Sequence, residues 1–213
     1  MNNMLHLRSG DLASYERFYR ANLINSITGY KPAMLIGTSD MEGRNNLAIF
    51  SSVVHLGADP ALVGFIQRPV GVSGDTFRNI TATGVYTINH VHASFVEKAH
   101  YTSARFSSDV SEFDACQLTP ERIAGFAAPF VAESRVKLGM ELVEVVPIVH
   151  NHTKLLIGRI VHLIMDPDCL REDGNIDLHS VDSVCISGLE NYHQVKPLKS
   201  FPYAKVENLP EFG

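Results

Sequence analysis

Hydrophobic positions change their period several times along the chain, and each change marks an element. Between Asp11 and about Asn25, the residues Leu12, Tyr15, Phe18, Tyr19, Leu23 and Ile24 fall at mixed helical spacing, which predicts one or two helical turns wrapped around the strands C-terminal to them. Thr28-Gly29-Tyr30-Lys31-Pro32 ends them. Ala33 to Ser39 then reads as a strand, Asp40-Met41-Glu42-Gly43 as a turn in which Gly43 can take positive φ, and the apolar run from Asn45 to His55 as the strand that closes the hairpin. Ala61 to Gln67 is a further strand, Asp75-Thr76 opens a short helix over Phe77 to Ile80, and Gly84 to Asn89 is extended again. Ala93 to Ser103 predicts a helix that buries Phe95, Val96 and Ala99. The segment from Ser107 to Pro129 is polar and punctuated by proline. Val136 to Val149 and Lys154 to Met165 are two long β-rich runs joined at His150-Asn151-His152-Thr153, the pattern of an antiparallel pair.

Two places break this apolar pattern with polar groups. Ser51 and Ser52 are adjacent in an otherwise apolar strand, so their side chains face opposite ways and at least one hydroxyl needs a buried partner. That partner is either a neighbouring strand or a ligand. After the next strand come Arg68-Pro69, a Gly/Ser-rich loop from Gly71 to Gly74, and the helix start at Asp75-Thr76. A loop entering a helix presents free backbone N–H groups, and with Arg68, Ser73 and Thr76 beside it this stretch has the composition of a phosphate cradle. Ordinary capping by Ser73 or Asp75 accounts for the same residues.

Composition narrows the function classes. The chain has 213 residues, 45% hydrophobic and 19% charged, enough to bury a sizeable core as one domain over 1–213. Its net charge of −5 and scattered cations give no basic field, which argues against nucleic acid. No apolar run approaches the roughly 18 to 20 residues of a membrane span, and the opening residues show no signal-peptide pattern, so a cytoplasmic location is expected. Cys116, Cys169 and Cys185 are too few and too scattered for a disulfide framework, and Cys185 between Val184 and Ile186 reads as core. His90, His92 and His100, and the pair His150 and His152, lack a third ligand at a metal-site spacing; no metal is expected.

Taken in order, Asn46-Leu47-Ala48-Ile49-Phe50-Ser51-Ser52, Asp59-Pro60, Arg68-Pro69, and Asp75-Thr76 with Asn79-Ile80 resemble the flavin reductase-like family of FMN-binding split barrels, which includes flavoredoxins and the reductase components of two-component monooxygenases. The resemblance covers roughly Tyr19 to Tyr192. It implies an antiparallel split β-barrel, mainly β with peripheral α, its core at about 30–192, assembled as a homodimer with FMN near the interface. It also implies that the strand from Asn46 to Ser52 lies along the isoalloxazine, partly through its backbone, while Arg68, Ser73, Asp75, Thr76 and Asn79 hold the phosphate and ribityl chain. One departure stands out: many relatives carry Lys or Arg just before the Asp-Thr pair, where this chain has Gly74. Gly188-Leu189-Glu190-Asn191-Tyr192 resembles a family segment whose tyrosine approaches the flavin in some members; packing the tail down serves Tyr192 equally well. The stretch around Glu112-Phe113 resembles the family's excursion outside the barrel, whose Glu-Phe pair often neighbours the cofactor or the nicotinamide entry; Phe113 either lines that entry or anchors its loop to the core.

The implied activity is hydride transfer from NAD(P)H, a transient substrate, to bound flavin, and onward electron delivery to a small-molecule acceptor or a partner oxygenase. The flavin carries the hard chemistry, so no acid–base dyad is required of the protein. FMN is expected ahead of FAD, whose adenylate half finds no evident pocket in the pattern. An electron carrier of the flavoredoxin kind, without NAD(P)H activity, is the alternative. No Gly-x-Gly-x-x-Gly fingerprint separates the two, because these barrels contain no Rossmann unit.

Overall fold

The computed structural model describes residues 4–69 and 74–211. In chain order the elements are α1 (Ser9–Ser14), α2 (Arg17–Ser26), β1 (Lys31–Pro32), β2 (Met34–Ser39), β3 (Asn45–Phe50), β4 (Val54–Ala58), β5 (Ala61–Gln67), α3 (Asp75–Thr83), β6 (Val85–His90), α4 (Val96–Tyr101), α5 (Glu112–Ala115), β7 (Pro120–Glu121) and β8 (Phe130–Val131). The long pair β9 (Val136–Ile148) and β10 (Thr153–Met165) comes next, and then β11 (Val184–Ser187) and β12 (Asn191–Gln194). Seven strands form one antiparallel sheet in the order β3-β2-β6-β9-β10-β5-β4. A second sheet, β1-β11-β12, lies beside it.

The two edge strands, β3 and β4, are consecutive in the chain, so the link Ser51-Ser52-Val53 carries the backbone from one edge of the sheet to the other. This corrects the single strand expected from Asn45 to His55. The serines stand in the break, where the Ser52 hydroxyl replaces a ladder contact: it donates to the Ile66 carbonyl and accepts from the Ile66 N–H, both at 3.1 Å.

All six residues of β2 are buried, because it has a core on each face. Met34 and Ile36 join Phe65, Ile80, Tyr86, Met140 and Leu156 on one side. Leu35 joins Leu47, Phe95, Ala99, Phe113 and Ile186 on the other. Continuous burial explains why this stretch reads as an unbroken apolar run rather than an alternating one. At Gly37 a Cβ would strike the Pro129 carbonyl and the Thr87 hydroxyl, so only glycine lets the outer loop approach the strand this closely. The turn at Gly43 has φ +83°, the left-handed value expected.

Phe113 is 1% exposed inside the second core and so anchors its loop. The N-terminal turns form two helices, broken at Tyr15 and Glu16, and neither has a buried residue. Cys185 is only half-buried: Val184 and Ile186 point into the core, and strand alternation turns the cysteine between them the other way. No helix among the described residues is long and apolar enough to cross a membrane.

Candidate functional site

A cleft opens along the β3 edge and has two lobes that share Ile49, Phe50, Gln67 and Ser103 in their walls. The larger, about 900 Å³, is bounded by Ser51, Ser52 and Ile66, by the C-terminal end of α2, and by His100 and Leu189. The smaller, about 280 Å³, is bounded by Asn46 and Ala48, by Gly74-Asp75-Thr76 at the start of α3, and by Arg105 and Glu112.

An edge strand turns half of its backbone groups away from its neighbour. On β3 the outward group at Leu47 is occupied: its N–H donates to Glu112 Oε2 at 2.9 Å. Alternation turns the backbone of Ile49 the same way, into the cleft wall where the lobes meet. Burial holds the Glu112 carboxyl above its usual pKa, with the Leu47 N–H and its own backbone N–H opposing that shift.

The smaller lobe rests on a buried polar network. Asn46 Nδ2 donates to Thr38 Oγ1 and to Thr76 Oγ1, each at 3.1 Å, and Asn79 Nδ2 donates to Thr38 Oγ1 at 3.2 Å. These four residues are 0–8% exposed. They clamp the start of α3 against β2 and β3, which fixes where the helix N-terminus points. Among the described residues that terminus has no side-chain cap: Gly74 is the N-cap, and Asp75 is instead the first helical residue, ion-paired with Arg78. Uncapped first-turn N–H groups attract an anion. Gly74 has φ −83°, so its lack of a side chain is not a conformational necessity. The nearby cation is Arg105, remote in sequence, which lines this lobe.

Arg68 takes a different place from the one expected. It faces the larger lobe and donates from Nη2 to Asn25 Oδ1 at 3.2 Å. Lys31 lies beside it, its ammonium donating to the Asn25 carbonyl at 2.9 Å and the Gly188 carbonyl at 3.1 Å. Burial, and then the Arg68 charge, lower the Lys31 pKa. Neither cation forms an ion pair among the described residues.

Of the residues singled out from sequence, Asn46, Ala48, Ile49, Phe50, Ser51, Ser52, Arg68, Asp75 and Thr76 line the cleft. Leu47 points into the core, and Asn79 lies beneath the smaller lobe in the network. Tyr192 stands behind the wall; its hydroxyl contacts His100 Nδ1 at 3.1 Å with the rings perpendicular, and His100 lines the larger lobe. Burial, and then Glu190, push the Tyr192 phenol up to about 12. Ser73 lies outside the described residues. Lys31, Gln67, His100 and Arg105 have no binding role in the sequence pattern, whereas Glu112 belongs to the Glu-Phe pair that the family resemblance puts near the cofactor or nicotinamide entry. Of the first four, only Gln67 carried a local signal, a polar residue ending an apolar strand.

His90 and His92 belong to neither lobe. The His90 ring contacts the Ser183 hydroxyl, and His92 accepts from the Arg135 N–H at 3.0 Å. Burial holds both near pKa 4. Among the described residues no group of His, Cys, Asp and Glu could hold a metal ion.

Comparison with known proteins agrees with this architecture. An uncharacterized protein of Halalkalibacterium halodurans is 31% identical over 160 residues, covering 72% of this chain and 76% of its own. A crystal structure from Shewanella frigidimarina, assigned as a flavin reductase with a split barrel domain, is 48% identical with TM-score 0.91, covering 94% of this chain and all of that one. Flavoredoxin of Desulfovibrio vulgaris is 26% identical with TM-score 0.71, covering 82% of this chain and 92% of its own. Nitrilotriacetate monooxygenase component B from Bacillus cereus, 23% identical with TM-score 0.82 over 94% of this chain and all of its own, shares the fold. Residues 30–179 match the flavin reductase like domain, and the chain accordingly belongs to that family, with its split-barrel fold.

Proposed function

We propose that the cleft binds FMN and that the protein passes electrons from NAD(P)H through it to a further acceptor. The observation that carries this reading is the two-lobed cleft along one edge strand, with a helix N-terminus that has no side-chain cap among the described residues in the small lobe and apolar walls in the large one. A flat ring, a polyol and a terminal phosphate need these surroundings in this order. Ile49, Phe50 and Ile66 would flank the ring, and the outward backbone of Ile49 would meet its polar edge. The first-turn N–H groups of α3, the Thr76 hydroxyl and Arg105 would hold the phosphate, which gives Arg105 the charge that Gly74 lacks.

A flavin held there supplies hydride acceptance from a reduced nicotinamide and onward electron transfer. The chain's own task is to orient both partners and limit water at the ring. Lys31 and Arg68 give the large lobe two cations, which suit the anionic nucleotide or an anionic acceptor. His100, held by Tyr192, stands on the same wall. A homodimer goes with this reading: Val143, Val161 and Leu163 on β9 and β10 are 43–52% exposed, an apolar surface for a second copy.

The test is an anaerobic absorption spectrum of FMN-loaded protein before and after NADH or NADPH. Bleaching of the oxidised flavin band by either nucleotide is expected. Flavin that binds but stays oxidised would make the protein an electron carrier, the alternative that flavoredoxin's similarity favours. Failure to bind flavin would remove the proposal.

A further inference from the structure

Asn25, in the last turn of α2, is a post on which two cations meet. Its side-chain amide is fixed, Nδ2 donating to the Ala21 carbonyl at 2.7 Å. The Lys31 ammonium donates to the Asn25 main-chain carbonyl at 2.9 Å, and Arg68 Nη2 donates to the Asn25 side-chain oxygen at 3.2 Å. The three residues come from α2, from β1 and from the position after β5, and all line the large lobe. Charges of one sign gathered on one residue repel, yet nothing here neutralises them. Among the described residues neither cation is ion-paired, and Glu190, the one carboxylate in that wall, bonds to neither. Donors also remain: Lys31 uses two ammonium protons, on Asn25 and Gly188, and keeps a third, while Arg68 uses a single N–H of its fork. An uncompensated pair with donors to spare, at the wall of a cavity of about 900 Å³, is a seat for an anion.

The form of the charge narrows which anion. The pyrophosphate bridge of a nicotinamide nucleotide spreads two single charges over two phosphorus atoms, whereas a phosphate monoester gathers nearly two on one. Two cations converging on one residue match the second. The 2′ position of the adenosine ribose is also where the two nucleotides differ: a free hydroxyl there suits a carboxylate, and a phosphate suits arginine. We propose that Lys31 and Arg68 form a site for the 2′-phosphate, so that the protein takes NADPH in preference to NADH. This rests on the reading of the cleft as a flavin and nicotinamide site and decides between its two nucleotides.

The experiment titrates adenosine 2′,5′-bisphosphate and adenosine 5′-monophosphate into FMN-loaded protein by calorimetry, for wild type, Arg68→Leu and Arg68→Lys, with FMN affinity measured beside them. A charge-assisted contact to the extra phosphate strengthens binding about tenfold or more. Wild type should therefore prefer the bisphosphate by that factor. Arg68→Leu should lose most of the preference with its monophosphate and FMN affinities unchanged, and Arg68→Lys, which keeps the charge, should retain part of it. In wild type, where no variant has to fold, the preference should shrink as salt is added, because an exposed guanidinium is screened. Equal wild-type affinity for the two probes, or a preference that salt leaves intact, would overturn the proposal. Equal weakening of both probes in Arg68→Leu would put the pair on the 5′-phosphate, and weakened FMN would put Arg68 on the flavin; either overturns it too. FMN binding without the preference would overturn this inference alone, and wild-type protein that binds neither FMN nor the bisphosphate would overturn both readings together.

Discussion

Thr38→Val tests whether the buried network beneath the small lobe sets the cleft. The substitution keeps the shape of the side chain and removes the oxygen that accepts from both Asn46 and Asn79. Thr38 is 0% and Asn79 3% exposed, so the Asn79 N–H has no route to water; Asn46, 8% exposed and facing the small lobe, can recruit some. An unsatisfied buried donor costs about 1–3 kcal/mol, which suggests about 2–3 for Asn79 and about 1 for Asn46, or about 3–4 kcal/mol in all. For a chain of 213 residues each kcal/mol shifts the melting temperature by about 2–4 °C, so a fall of about 6–16 °C is expected in flavin-free protein. Because the network fixes the start of α3, FMN affinity should fall more than riboflavin affinity in the same variant. Removing the orphaned amide with Asn79→Leu should then cost less in the Thr38→Val background than in wild type. A melting shift under about 3 °C, or strict additivity of the two substitutions, would refute the argument that Thr38 is the shared acceptor.

Ser52→Ala should lose about 1–2 kcal/mol in urea unfolding equally with and without FMN, since its hydroxyl is engaged with Ile66; a loss confined to the loaded form would return the serine to the flavin. Tyr86 is fully buried with a hydroxyl that has no partner among the described residues, and burial raises its pKa, so Tyr86→Phe should leave stability unchanged or raise it by about 1 kcal/mol; a loss beyond that would reveal a partner. Glu112 has its folded pKa raised above the ordinary 4.5, so its contribution to stability is fully present below about pH 4.5 and is lost as pH rises through the folded value. Glu112→Gln, which keeps an acceptor for the Leu47 N–H, should therefore gain on wild type as the pH rises from about 4.5 and flatten the profile in chemical denaturation; an offset independent of pH would assign the effect to something other than ionisation.

The strands of this protein were legible in its sequence because local pattern determines them. The double-sided burial of β2 is written as an unbroken apolar run, and the β9–β10 hairpin as two β-branched runs about a polar turn. The order of short motifs from Asn46 to Asn79 pointed to the family for the same reason: residues carried by neighbouring strands and the following helix stay close in the chain. The ladder partners were not local. That β3 and β4 are opposite edges of one sheet results from β9 and β10 intervening between β6 and β5, nearly a hundred residues away in sequence, so the break at Ser51-Ser52 had no signature beyond two hydroxyls. The same cause hid half of the site. Arg105 reaches the small lobe, and Lys31 and His100 the large one, because core packing around Leu35, Phe95 and Phe113 brings their elements to the β3 edge. Sequence determined which residues could serve the cleft along one strand; only the fold decided that Asn46 and Asn79 join in a clamp and that Arg68 turns to Asn25.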